Sequence, residues 1–411
     1  MHPLEAYAEA AGAEVIDHLR QLARPLVGAT VVHVNSTAVG GGVAEILSRL
    51  IPLKRELGLQ ASWEIVEGTA GFFSITKSFH NALQGNAVDL PRHLLDEYIE
   101  VNRRNAERLH AKLREADFVL IHDPQPAAFV QFCSGRKGKW FWRCHIDVSR
   151  PHRPVWKYLR EFVRQYDASV FSLAAFAQPL PHPQYLIPPS IDPLSEKNVP
   201  LDAQEITATA EGFGLDPDRP MVLQVSRFDR FKDPVGVIKA YRLVRNHVPL
   251  QLVLAGGTAD DDPEGEGVLA AVRQEAGDDP DIHLLLLPSD AHRTVNALQR
   301  RADIVIQKSI REGFGLTVTE ALWKGKPVIG GETGGIVLQV VNGHTGFLVN
   351  TPEGAAFRIR YLLSRPRLRA AMGIKGRRFV QENFLLTRHL REYLTMMLAL
   401  RHGTDDQIKI S

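Results

Sequence analysis

Short runs of β-branched and aliphatic residues recur along this chain, each closed by a glycine or polar segment and followed by a helical stretch. That alternation constrains the fold most. Strands joined by crossover helices must pair in parallel and be covered on both faces. Residues 3–24 read as an amphipathic helix, with Leu4, Val15, Ile16, Leu19 and Leu22 apolar. VVHVN (31–35) is the first strand, STAVGGG (36–42) a turn, and VAEILSRLIPLKREL (43–57) a helix. SWEIVEG (62–68) is a second strand, residues 71–85 read as a loop of mixed aromatic and polar character, and 91–115 as a long helix. DFVLIHDPQP (117–126), FWRCHIDVS (141–149) and ASVFSL (168–173) are further strands, with a helix over 152–166.

Residues 188–200, PPSIDPLSEKNVP, are rich in proline and polar residues and read as a linker or hinge. A second series follows: MVLQVSRF (221–228), LQLVLAGG (250–257), DIHLLLLP (281–288), ADIVIQKS (302–309) and KPVIGGE (326–332), with a last helix over 377–401. The pattern predicts an α/β chain of two doubly wound, Rossmann-like domains, 1–190 and 200–384. Ligands of such sheets bind at the carboxyl ends of the strands. In the first domain three strand ends carry polar groups: Asn35 to Gly42, His122 to Gln125, and His145 to Asp147. The G-x-G-x-x-G spacing of a dinucleotide fingerprint is absent, so Gly40, Gly41 and Gly42 serve either a ligand or tight strand–helix packing.

Composition removes several function classes. Hydrophobic content of 44% and charge of 23% over 411 residues are those of a soluble globular protein. A net charge of +2 offers no basic face for nucleic acid, and Arg365, Arg367 and Arg369 read as a solvated helix face. No run of eighteen apolar residues suits a membrane, and the N-terminus does not read as a signal peptide. Cys133 and Cys144 are too few for a disulfide framework, which predicts reduced thiols and a cytoplasmic protein. Asp260 to Asp262 sit in GTADDDPEGEG, which reads as a solvated turn rather than a metal site.

The stretch SIREGFGLTVTEA (309–321) reads as loop, glycine turn and helix. Gly313 and Gly315 flank Phe314, so the backbone can turn sharply, and a helix starting near Thr317 would offer free amides to a phosphate. Glu312 and Glu320 bracket the turn and could accept hydrogen bonds from sugar hydroxyls. Alternatively, Thr317 and Glu320 fit a capping box that satisfies only the helix itself. Arg227 at a strand end and Lys232 five positions on could clamp a diphosphate and stabilise charge on a leaving group. His145 and Asp147, with His122 and Asp123 behind them, are the candidates in the first domain.

Together these motifs resemble the retaining glycosyltransferases of family four, which have the two-domain GT-B fold. REGFGLTVTEA carries that family's E-x7-E pattern at Glu312 and Glu320, SRFDRFKD its Arg and Lys pair, Gly40 to Gly42 its N-terminal glycine loop, and GGIVLQVVNGHTGFLV (334–349) its next strand–turn segment. HVNSTAVGGGVAEIL, TKSFHNALQGN, HDPQPAA, WRCHID and PPSIDPLSEKN are similar to its trehalose-forming members. The resemblance implies two domains facing each other across a cleft, with the helix at 385–411 crossing back to the first. It implies reversible transfer of glucose from ADP-, UDP- or GDP-glucose to free glucose, giving trehalose. A phosphorylase or another sugar transferase on this fold is the alternative. His145, Arg227, Lys232 and Glu312 are then catalytic. Gly313, Phe314, Gly315, Leu316 and Glu320 join the cations and Gly40 to Gly42 in donor binding. His122, Asp123, Gln125 and Asp147 fall on the acceptor side. No cofactor is required, with a divalent metal such as Mg at most an activator, and a homodimer is left open.

Overall fold

The computed structural model describes residues 3–38, 41–257 and 263–403. Gly40, the acidic segment Asp260 to Asp262 and residues 404–411 lie outside them. The chain divides into two compact units, Met1–Pro189 with Leu386–Ser411, and Ser190–Leu385.

The first unit is built on six parallel strands. They are β1 (Thr30–Asn35), β2 (Gln60–Ile65), β3 (Phe118–His122), β4 (Lys139–Arg143), β5 (Ala168–Phe171) and β6 (Gln184–Leu186), in spatial order β2-β1-β3-β4-β5-β6. β1 and β3 read as continuous apolar runs because helices cover both faces of the sheet. Val31, Val32 and Val34 have no exposed surface, nor have Val119, Leu120 and Ile121. The chain winds one way from β1 to β2 and the other way through β3, so the order reverses between β1 and β3. The carboxyl ends of β1, β3 and β4 are therefore neighbours, which gathers Asn35, His122 and the loop after Arg143 at one edge. β4 stops at Arg143, and His145 and Asp147 lie on that loop rather than in the strand.

Three readings of the sequence need correction. Residues 71–85 are not a loop: Ala70–Leu83 is a helix capped by Thr69, whose Oγ1 accepts from the Phe72 amide at 3.0 Å. Phe72, Ile75, Phe79 and Ala82 recur at helical spacing and are buried, with Phe79 edge-on to Tyr98 at 4.9 Å. The short strand β6 was not anticipated. The last helical stretch is two helices, Pro366–Asn383 and Leu386–His402, separated at Phe384 and Leu385, where Leu385 bridges Ile191. The second of these helices belongs to the first unit. Arg388 donates to the carbonyls of Pro188 (3.0 Å) and Pro189 (2.9 Å), and Arg401 to that of Pro25 (2.7 Å).

The second unit holds β7 (Met221–Val225), β8 (Gln251–Gly256), β9 (Ile282–Leu286), β10 (Ile304–Gln307), β11 (Val328–Gly331) and β12 (Gly346–Val349), all parallel, in the order β12-β11-β10-β7-β8-β9. This is the doubly wound nucleotide-binding order, with its reversal between β7 and β10. Ile238, Tyr241, Leu252, Ile304, Ile329 and Ile359 form part of its core. The proline-rich stretch is bonded into this unit from Ser190 onward. Asn198 donates to the Asp192 carbonyl at 2.9 Å and accepts from Lys324 Nζ at 3.0 Å, and Asn296 donates to the Glu196 carbonyl at 2.8 Å.

Candidate active site

Two loops leave the switch point of the second sheet. One follows β7 and carries Arg227 and Lys232; the other follows β10 and carries Ser309 to Gly315. The Ile310 amide donates to the Phe231 carbonyl at 2.8 Å and ties them together. In the first loop Asp229 accepts from the Phe231 amide at 2.8 Å, and Gln224 holds the Lys232 carbonyl at 2.8 Å. Lys232 is thereby placed within 2.6 Å of the carboxylate of Glu312, which also accepts from Ser309 Oγ at 3.2 Å. Glu312 is buried and Lys232 largely so. Lys308 is ion-paired with Asp233, which has a left-handed backbone (φ 51°) and whose carboxylate caps the helix Pro234–Arg245 by accepting from the Gly236 amide at 3.1 Å. Arg227 is about half exposed (51%), 3.7 Å from Asp229.

Gly315 occupies the left-handed region at φ 84° and opens the helix Leu316–Trp323, whose start receives no side-chain cap. Thr317 is thus inside the helix rather than at its cap, and the capping box does not form. Glu320 is on this helix with 3% of its surface exposed, next to the buried Lys324, whose ammonium donates to the Glu320 carbonyl at 3.2 Å. Burial lowers Lys324 to about 7, against the attraction of Glu320. Gly334 and Gly335 press on the glycine turn: the Gly335 amide donates to the Gly313 carbonyl at 3.2 Å, and Gln339 Nε2 donates to the Phe314 carbonyl at 2.5 Å. Phe314 itself is buried edge-on to Phe384 at 5.6 Å.

In the first unit Gly41 (φ 78°) and Gly42 open the helix Gly41–Glu56. His122 ends β3 with both ring nitrogens occupied, by His33 at 2.9 Å and His145 at 3.0 Å, and with 1% exposure it reaches any ligand only through His145. Asp123 has φ 64° and accepts from the His145 amide at 2.7 Å, while its carbonyl accepts from Trp142 Nε1 at 3.0 Å. Burial pushes the Asp123 carboxyl up to about 7. Asp147 accepts from the Ser149 amide at 2.9 Å, and the Gln125 carbonyl from Asn102 at 3.1 Å. His145 is half-buried, and burial, the Arg143 charge and His122 hold its ring well below the ordinary histidine range. The sequence reading missed Lys54 and His33. Lys54 lies three or four residues beyond Leu50 and Ile51, on the apolar face of its helix, and His33 interrupts an apolar strand. Each is a polar residue out of pattern, and that was the available signal.

Among the described residues no cluster of three or more His, Cys, Asp or Glu could hold a metal ion, and no helix is long and apolar enough to cross a membrane.

Residues 33–178 match the family model "Trehalose synthase, N-terminal domain", and residues 205–379 the model "Glycosyl transferases group 1". A trehalose synthase of Pyrococcus horikoshii is 46% identical over 97% of this chain and 96% of its own length. One of Rubrobacter xylanophilus is 46% identical over 94% of each. An E. coli structure described as trehalose-6-phosphate bound with UDP-2-fluoro glucose superposes with a TM-score of 0.74 at 15% identity, over 90% of this chain and 99% of that one. The fold is GT-B.

Proposed function

We propose that this chain, which belongs to the trehalose synthase family of glycosyltransferases, moves glucose reversibly from a nucleoside diphosphate glucose to free glucose, retaining the α configuration. The observation that carries this reading is the Lys232–Glu312 pair, which joins the two loops at the strand-order reversal of the second sheet, Glu312 standing on the loop that leads to the Gly315 helix start. That edge is where a doubly wound sheet takes a nucleotide, and a lysine beside uncapped helix amides suits a diphosphate.

In this reading Arg227, Lys232 and the amides from Gly313 to Leu316 hold the diphosphate. Glu312 accepts from hydroxyls of the donor glucose and Glu320 from the ribose. His145 and Gly40 to Gly42 serve the donor sugar, and Asp123, Gln125 and Asp147 the acceptor side. Negative charge grows on the leaving phosphate as its bond to the anomeric carbon breaks, and fixed cations and amides stabilise it where it grows. A double displacement needs a carboxylate nucleophile on the opposite face of the sugar. Glu312 and Glu320 are assigned to binding, and the family resemblance implies instead that the acceptor hydroxyl attacks from the face that the diphosphate leaves, its proton passing to the departing phosphate oxygen.

The test is a panel of ADP-, UDP- and GDP-glucose, each with glucose, scored for trehalose and free nucleoside diphosphate in equal amounts. Trehalose breakdown is then run with nucleoside diphosphate and with inorganic phosphate. Breakdown that needs phosphate and ignores the nucleotide makes the chain a phosphorylase. Binding of nucleotide sugar with no turnover makes it a sensor.

A further inference from the structure

A buried line of hydrogen bonds crosses the first unit, and the reaction as read above uses only its last member, His145. Lys54 Nζ lies 2.8 Å from His33 Nε2, His33 Nδ1 lies 2.9 Å from His122 Nε2, and His122 Nδ1 lies 3.0 Å from His145 Nε2. Lys54 and His33 have no exposed surface, and the rings stack in sequence at 5.2 and 5.4 Å. The line starts on the buried face of the helix Gly41–Glu56, passes through β1 and β3, and ends on the loop after β4. Tyr393 closes its inner end, with its ring 4.8 Å from Lys54 Nζ.

Each contact holds one proton, and a protonated lysine can only donate. His33 must then accept at Nε2, which leaves its proton on Nδ1. That proton is donated to His122 Nε2, and the same logic passes to His145. His145 accepts at Nε2 and carries its own proton on Nδ1, which makes no hydrogen bond with any described residue. An unconstrained neutral imidazole favours the other tautomer, so the line imposes a choice that the loop alone would not make. All three histidines are held neutral by burial, His122 down to about 3. Lys54, lowered by burial to about 7, is an ammonium at pH 6.

We infer that Lys54, acting through His33 and His122, fixes the tautomer of His145, so that His145 offers the substrate an N–H donor and no basic nitrogen. The inference rests on the proposed glucosyl transfer for the identity of that substrate, but not for the tautomer. A donor at His145 can hydrogen-bond a sugar oxygen. A base there would compete with the leaving phosphate for the acceptor's proton. Lys54, His33 and His122 are positioning residues, and His145 alone meets the sugar.

The experiment uses the full chain labelled with 15N-histidine, read at pH 6 by long-range proton–nitrogen correlation, with His145 identified through His145→Gln. Wild type should show His145 protonated at Nδ1. Lys54→Met, which has no donor, should move the proton to Nε2 and lower kcat about 10-fold with little change in KM. Lys54→Gln keeps an amide donor and should restore both the tautomer and the rate. His33→Leu breaks the line one step later and carries the Lys54→Met expectations if that variant fails to fold. A wild-type His145 protonated at Nε2 overturns the inference. So does a tautomer indifferent to both breaks, or a shifted tautomer with unchanged kcat. If wild type transfers glucose from no donor, the glucosyl reading fails, and the spectra still decide the tautomer.

Discussion

Lys232 donates to Glu312 across 2.6 Å, joining the loop after β7 to the loop after β10, and Glu312 is buried while doing so. Removing the lysine should therefore do two things at once. Lys232→Ala leaves a buried carboxylate with the Ser309 hydroxyl as its remaining side-chain donor among the described residues, which should cost about 1–3 kcal/mol of stability. It should also lower kcat on the order of 10²-fold, by taking a cation from the departing diphosphate. Arg227 is half exposed, and Arg227→Ala should lower kcat similarly with little change in melting temperature. Calorimetry beside turnover assays separates the two, and kcat within a few-fold of wild type in both variants would remove the leaving-group role.

Gly334 and Gly343 both have positive φ, 48° and 77°, yet only one touches the site. A Cβ on Gly334 would lie 1.6 Å from the Glu312 carbonyl oxygen, whereas one on Gly343 meets nothing within 4 Å. Gly343→Ala should cost only its backbone strain, about 1 kcal/mol, and keep its activity. Gly334→Ala should cost about 2 kcal/mol or more and abolish turnover by displacing Glu312. Equal losses in the two variants, by urea titration and product assay, would mean that the 312–315 loop tolerates the displacement.

The glycine turn, Glu312 and the Arg227–Lys232 segment were legible because a strand end, a glycine and a charge announce themselves in order along the chain. The parallel α/β class was legible for the same reason, since buried strands leave unbroken apolar runs. The partner of Glu312 was not legible: Lys232 is 80 positions away, and only the adjacency of β7 and β10 brings them together. The helix Ala70–Leu83 was misread because Gly71 and scattered polar residues masked the spacing of Phe72, Ile75 and Phe79. The histidine line draws on four separate segments, and nothing local marks it except that Lys54 and His33 are polar where the pattern asks for apolar.

Asp123 combines a left-handed backbone with a carboxylate that accepts from the His145 amide. Asparagine tolerates that backbone and retains the accepting oxygen, so Asp123→Asn should keep stability within about 0.5 kcal/mol. Asp123→Ala loses both features and should cost about 2 kcal/mol. Chemical denaturation of the pair measures this, and an alanine variant as stable as the asparagine one would show that the bond from the His145 amide to Asp123 contributes nothing to stability.

Lys54 should also leave a signature in the pH dependence of stability. Its ammonium is wholly buried, facing His33 and the Tyr393 ring, with His122, His389, Arg143 and Arg388 among the charges and titratable groups of the same cluster. Burial lowers it from the ordinary 10.5 to about 7. Below pH 7 the lysine is charged in both folded and unfolded chains, and the cost of burying the charge is borne in full. Between pH 7 and 10.5 the unfolded chain holds the proton and the folded one does not, so stability rises with pH there. Lys324 and Lys326, lowered to about 7 and about 8, act in the same direction, so the wild-type slope alone does not isolate Lys54. Asp123 opposes it only below about 7, and the buried thiol of Cys144 only above 9. The clean window is pH 7.5 to 8.5. Within it Lys54→Met should reduce the slope of unfolding free energy against pH by about 1 kcal/mol per pH unit, since one full proton corresponds to about 1.4. Urea unfolding followed by tryptophan fluorescence reads chiefly the first unit, where Trp63, Trp140, Trp142 and Trp156 lie. Parallel slopes for wild type and Lys54→Met would show that Lys54 keeps its proton throughout.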